Sequence, residues 1–122
     1  MNDENTRIYE LKEKVRKFCE ERDWDQFHKG KELVIALVIE IGELLEHFRW
    51  KSELEIEGIL KDKKKREEIE DEVADIFYFL LRFAQKNNID LSEALERKMK
   101  KNEEKYPVSK FKGLNKKYTE VV

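Results

Sequence analysis

The sequence predicts an all-α protein, a four-helix bundle completed by homo-oligomerisation. Three observations carry that expectation. Only four glycines and one proline interrupt 122 residues, so few positions break a helix. Apolar residues recur at the helical period, and no strand-like alternation competes with them. Two of the helices are apolar over a wider arc than the one-sided stripe of a surface helix, and four short helices of one chain cannot cover both.

The elements follow in chain order. Ile8, Leu11, Val15 and Phe18 share one face, which places helix one over about 6–21 with Asn5 or Thr6 as its cap. ERDWDQFHKGK, residues 21–31, mixes two aromatics and a histidine with polar residues and reads as a loop. Helix two runs from about Lys31 to Phe48, and the polar connector after Trp50 holds a short helical turn around Leu54 to Leu60. Helix three spans about Lys64 to Lys86. From Val73 to Ala84 it is apolar except at Asp75 and Arg82, so it is expected to be covered on several sides. Asp90 to Glu93 has the form of a capping box that opens helix four, which ends near Lys105, before Pro107. The tail carrying Phe111, Leu114 and Tyr118 packs as an arm or stays loose.

Length and composition bound the function. One domain, 1–122, fits this length. A formal charge of -2 supplies no net basic field for nucleic acid or anionic lipid, and no helix joins a basic face to a glycine turn. Cys19 alone can form neither an internal disulfide nor a thiolate metal site, which points to a reducing, cytoplasmic setting. The polar start MNDENTR and the lack of a long apolar run argue against secretion and membrane insertion.

The chemistry resides in acids placed on the two most apolar helices. Glu40 and Glu43 lie three residues apart on helix two, so they point the same way, and Glu72 and Asp75 repeat that spacing on helix three. Glu40 follows seven apolar residues and Asp75 is flanked by Val73, Ala74, Ile76 and Phe77, which sets them apart from an ordinary solvated face. Two carboxylates about 4 Å apart repel by roughly 4 kcal/mol at an effective dielectric of 20, so something must compensate them. The compensator is a basic side chain, shared protons or a divalent cation. Arg49 and Arg82 lie about two turns from their nearest acidic pair, leaving His47 as the one close cationic side chain. An all-carboxylate set favours Mg²⁺ or Mn²⁺ over zinc, with a buried ionic network as the competing reading. Gly42, between two of these acids, costs its helix about 1 kcal/mol relative to alanine. It makes room for a neighbouring helix or ligand, or for a facing aromatic ring.

Taken in order, ERDWDQFH, ALVIEIGELLEHFRW, DEVADIFYFLL, DLSEALERKMKKNEEKYP and KKYTE resemble the MazG-like all-α nucleoside triphosphate pyrophosphohydrolases, and most closely the dCTP pyrophosphatase branch. The likeness runs from about Arg16 to Glu120. It implies a Mg²⁺-dependent enzyme, with Mn²⁺ as a substitute, that cleaves dCTP or modified nucleotides between the α and β phosphates to monophosphate and pyrophosphate, a housecleaning reaction of the nucleotide pool. Carried over by position, the resemblance makes Glu40, Glu43, Glu72 and Asp75 the metal ligands and Glu43 or Glu72 the group that activates water. It assigns the base to Trp24, Gln26, His28, Trp50 and Phe79, and the phosphates or sugar to Lys98 and Asn102. Phe79 replaces a tyrosine common among relatives, Lys105 a more usual arginine, and Val15 a histidine found in some, departures that bear on base preference. The resemblance implies a nucleoside triphosphate as partner, while the uncovered apolar helices lead to the expectation of further copies of the chain, in a dimer or tetramer.

Two other readings compete. Di-iron helical bundles need Glu-x-x-His on two helices, and here no histidine stands three residues after a glutamate. A non-catalytic interaction module would use the broad apolar face of helix three for binding and the acids to fix register.

Overall fold

The computed structural model describes residues 1–121. Its helices are α1 (Ile8–Glu21), α2 (Gly30–Glu46), α3 (Glu53–Lys61), α4 (Lys63–Lys86), α5 (Leu91–Lys105) and the single turn α6 (Val108–Phe111), followed by a 3₁₀ turn at Tyr118–Glu120. No strand occurs among the described residues, and no helix is long and apolar enough to cross a membrane. The all-α expectation holds. The four long helices are α1, α2, α4 and α5, and the short turn expected in the connector is the full helix α3. The residues form two compact units, Met1–Asn88 and a second from Ile89 onward.

Local chemistry explains the boundaries. Neither Asn5 nor Thr6 caps α1, contrary to expectation. The Asn5 side chain is occupied in a terminal turn, accepting from the Asn2 backbone N–H at 2.8 Å, and α1 starts after Arg7, whose N–H donates to Glu10 Oε2 at 2.9 Å. α2 stops at Glu46, two residues early. The N–H groups of His47 and Phe48 bond the carbonyls of Leu44 and Leu45, tightening the last turn, and Trp50 adopts a φ of 64° that no α-helix continues through. Ser52 caps α3 by accepting from the Glu55 N–H at 3.2 Å, and Asp62 caps α4 by accepting from the Lys65 N–H at 3.0 Å.

In the first unit, α4 packs against α1, α2 and α3. The buried core is small: Cys19, Leu33, Ile69, Leu81, Ala84 and one charged residue, Arg82. Val34, Ile35, Val38, Ile39, Ile41 and Leu45 of α2 remain exposed, as do Val73, Phe77 and Leu80 of α4. The coverage expected around helix three is therefore only partly supplied by this chain. One face of each of α2 and α4 packs inward while a second face carrying apolar residues meets solvent.

In the second unit, Asp90 caps α5 as its sequence pattern implies, accepting from the Glu93 N–H at 2.9 Å. The tail folds back on itself, with the Tyr106 ring edge-on to Phe111 at 5.0 Å and to Tyr118 at 6.0 Å.

Candidate active site

The packing of α2 on α4 brings acids from both helices together. Glu40, Glu43 and Glu72 each offer an oxygen, and these oxygens all lie within 4.8 Å of one another. Asp75, one turn beyond Glu72, lies outside that trio, although its charge acts on Glu40. Burial is uneven across the four. Glu40 and Glu72 are half-buried, whereas Glu43 and Asp75 are exposed. Apolar neighbours in sequence therefore did not guarantee burial, because they bury an acid only where another element covers that face.

Electrostatics mark the cluster as incomplete. Among the described residues, Glu40 Oε2 and Glu72 Oε2 are buried with no hydrogen-bond partner, a costly condition for a carboxylate. Burial, then the adjacent Glu43 carboxylate, then the charges of Asp75 and Glu72 push the Glu40 pKa up to about 7 from an ordinary 4.5. Glu72 is also raised, by burial first and Glu43 second, while His47 pulls it the other way. The imidazole is close: His47 Nε2 lies 3.7 Å from Glu72 Oε1. One imidazole cannot balance several clustered carboxylates. A hard divalent cation fits this donor set, because every donor is an oxygen and two of the three carboxylates each have a buried oxygen with no partner among the described residues.

Gly42 leaves open space. Among the described residues, nothing outside its own stretch of helix backbone lies within 4 Å of the position a Cβ would take there, so no facing aromatic among them requires the glycine.

The residues expected to hold a base sit on the loop after α1, just past the end of α2 and on α4. Trp24 is half-exposed, edge-on to Phe18 at 5.7 Å and to His28 at 6.2 Å. Phe18 meets Tyr78 at 6.1 Å, and Tyr78 meets Phe79 at 4.9 Å, so a relay of rings links the loop to α4. Gln26 turns back on its own loop, donating to the Asp23 carbonyl at 3.1 Å and to Asp23 Oδ2 at 3.2 Å. Trp50 is 88% exposed and stacks only with the Arg49 guanidinium, 5.0 Å from its ring centre, among the described residues. Lys98, exposed, and Asn102, half-buried, lie one turn apart on α5 in the second unit.

Sequence reasoning weighed Arg82 only as a distant partner for the acids and missed its bonds to the loop before α2. Its side chain is fully buried and makes three hydrogen bonds, from Nε to His28 Nδ1 at 2.9 Å, from one terminal nitrogen to Gln85 Oε1 at 2.6 Å and from the other to Asp25 Oδ1 at 2.9 Å. Lys86 Nζ joins the same Asp25 oxygen at 2.8 Å. The loop between α1 and α2 is thereby tied to α4 by a charged knot. The signal was present in the sequence as a lone arginine inside FYFLLRFA, where an unpaired charge would be very costly.

The profile of the MazG-like family matches residues 35–121. The dCTP pyrophosphatase 1 of Mus musculus is 39% identical over 104 residues, covering 85% of this chain and 61% of that protein. Its Homo sapiens counterpart is 36% identical over 104 residues, with coverages of 85% and 61%. The chain thus spans about 61% of the length of these curated relatives. Among solved structures, a pyrophosphatase from Archaeoglobus fulgidus superposes with a TM-score of 0.77 at 37% identity, covering 88% of this chain and 98% of that one.

Proposed function

The chain belongs to the MazG-like family, and from that membership we propose that it hydrolyses nucleoside triphosphates between the α and β phosphates, releasing a monophosphate and pyrophosphate in a Mg²⁺-dependent reaction. The observation that carries the reading is the Glu40, Glu43 and Glu72 trio with its two buried, partnerless oxygens. A fold-only role would not need that electrostatic cost.

Glu40, Glu43, Glu72 and Asp75 would hold the cation, which supplies charge neutralisation of the triphosphate, polarisation of the phosphorus under attack and a lowered pKa for a bound water. Glu43 or Glu72 orients the attacking water and takes its proton; they face each other across the two helices, so comparing Glu43→Gln with Glu72→Gln assigns the role. Trp24 and Trp50 are both solvent-exposed aromatic residues of the kind that stack on a base. Gln26, His28 and Phe79 contribute to base selection in this reading. For Lys98 and Asn102, as contacts to phosphate and sugar, the support is the family pattern alone. The dCTP activity named for the curated relatives makes dCTP and modified cytidine nucleotides the first substrates to test.

The reading includes self-assembly, as a dimer or tetramer. Its support is the second apolar face on α2 and α4, too extensive to leave in water. The family match runs through both compact units, which supports reading 1–122 as one functional domain, in the cytoplasm where nucleotide pools reside.

The deciding experiment incubates purified protein with canonical and modified triphosphates plus Mg²⁺ and separates the products. Monophosphate and pyrophosphate are expected, with no reaction after chelation. Release of the γ phosphate alone would overturn the reaction assignment.

A further inference from the structure

We propose that Arg82 is the positioning residue of the aromatic loop: it holds His28 as an uncharged imidazole with its proton on Nε2, so that the loop presents one fixed donor to a hydrogen-bond acceptor on the substrate's base. The inference rests on the pyrophosphohydrolase reading only for what the loop binds. The Arg82 arrangement itself stands on geometry.

A guanidinium has five donors and no acceptor, and it stays protonated at any pH the protein survives. Arg82 Nε donates to His28 Nδ1 at 2.9 Å, so Nδ1 must carry a lone pair rather than a proton. In a neutral imidazole the proton then occupies Nε2, on the ring edge away from the guanidinium. The surroundings oppose a second proton. Burial comes first, followed by the positive charges of Arg82 and Lys86 on α4; the Asp25 carboxylate in the loop acts in the other direction, and the balance lowers the His28 pKa. Trp24 stands edge-on to the same imidazole at 6.2 Å, so the hydrogen-bonding group and the ring offered for stacking belong to one held unit.

Arg82 cannot move to suit another tautomer. It is fully buried, and its other two bonds, to Gln85 and Asp25, fix the guanidinium plane. A donor at Nε2 pairs with a carbonyl oxygen or an unprotonated ring nitrogen and repels an amino group, which makes Arg82 a determinant of base choice acting through His28.

The test uses the full chain labelled with ¹⁵N at histidine. Long-range ¹H–¹⁵N spectra at neutral pH are expected to show His28 with a pyridine-like Nδ1 and a pyrrole-like Nε2, the two histidines being told apart with His47→Gln. Arg82→Met is expected to give mixed tautomers and to raise KM for dCTP about tenfold while changing kcat less than twofold. Arg82→Lys, which still donates to Nδ1, is expected to recover most of both effects. A proton on Nδ1 in the wild type, a doubly protonated ring, or nitrogen shifts unmoved in Arg82→Met would overturn the proposal. Should Arg82→Met fail to fold, the wild-type spectrum still decides. The expected shifts in a protein that hydrolyses no triphosphate would remove the functional reading and leave the Arg82–His28 assignment standing; the opposite tautomer in an active enzyme would do the reverse.

Discussion

His47 Nε2 stands 3.7 Å from Glu72 Oε1, so the residue that closes α2 reaches the acid-bearing face of α4. Its effect on Glu72 is to favour the ionised form, against burial and Glu43. Removing it leaves a proton better able to compete with a cation for that carboxylate. His47→Ala is therefore expected to weaken Mn²⁺ binding about tenfold, in line with the loss of groups that support metal ligands. Calorimetric titration measures this directly, and an unchanged affinity would reduce His47 to a helix-end packing residue.

Glu40→Gln and Glu72→Gln each delete a charge whose buried oxygen has no partner. Pyrophosphate release should fall at least about 100-fold in either variant, since metal positioning is lost. The far-UV circular dichroism should stay unchanged, and the metal-free melting temperature should rise because like-charge repulsion is relieved. A variant that loses activity only by unfolding would show the opposite shift in melting.

The metal-free protein should become less stable as pH rises. Glu40 is an acid whose pKa climbs from 4.5 in the unfolded chain to about 7 in the fold, so between those values the native state binds the extra proton. Stability is then full below about 4.5 and is lost as pH passes upward through 7. Glu72 is shifted in the same direction and adds to the trend. Thermal melts in a chelating buffer should drop by a few degrees across this window, and saturating Mg²⁺ should remove the drop. A melting temperature that rises with pH in the chelated protein would contradict this electrostatic picture.

Trp24→Ala and Trp50→Ala should each raise KM for a triphosphate substrate by about tenfold or more, the scale of one lost base–aromatic stack. Trp50 is 88% exposed, so its removal should leave the melting temperature of the chain almost unchanged. If steady-state kinetics showed no change in KM for Trp50→Ala, that ring would have no part in substrate binding.

The apolar face of α2 predicts assembly. Val38 is 62% exposed and Leu45 58%, and a charge in the middle of a shared interface has no partner there. Val38→Glu should therefore shift the sedimentation coefficient from that of an oligomer to that of a single chain. A wild type that already sediments as one chain would remove self-assembly from the proposal.

Much of this protein could be read in its sequence because the relevant physics is local. Capping by Asp90, the spacing of Glu40 with Glu43 and of Glu72 with Asp75, and the scarcity of helix breakers act within a turn or two. Asn5 and Thr6 misled because side chains that suit a cap also suit a terminal turn, and Asn2 captured Asn5 first. Burial was harder to read. Leu33 is buried while Val34 and Val38 of the same run are exposed, and nothing along the chain distinguishes a face that meets α4 from one that does not.

The sequence by itself determined that the chain is helical, roughly where its long helices run and which acids lie on a common face, since the 3.6-residue period and the scarcity of helix breakers act locally. Only the tertiary structure decided that Glu40 and Glu43 approach Glu72 more closely as a group than they do Asp75, and that Arg82 is joined to Asp25 and His28 across 57 and 54 positions. Distances between residues so far apart along the chain depend on how α4 docks, and that is set by the sum of many packing contacts rather than by any local pattern.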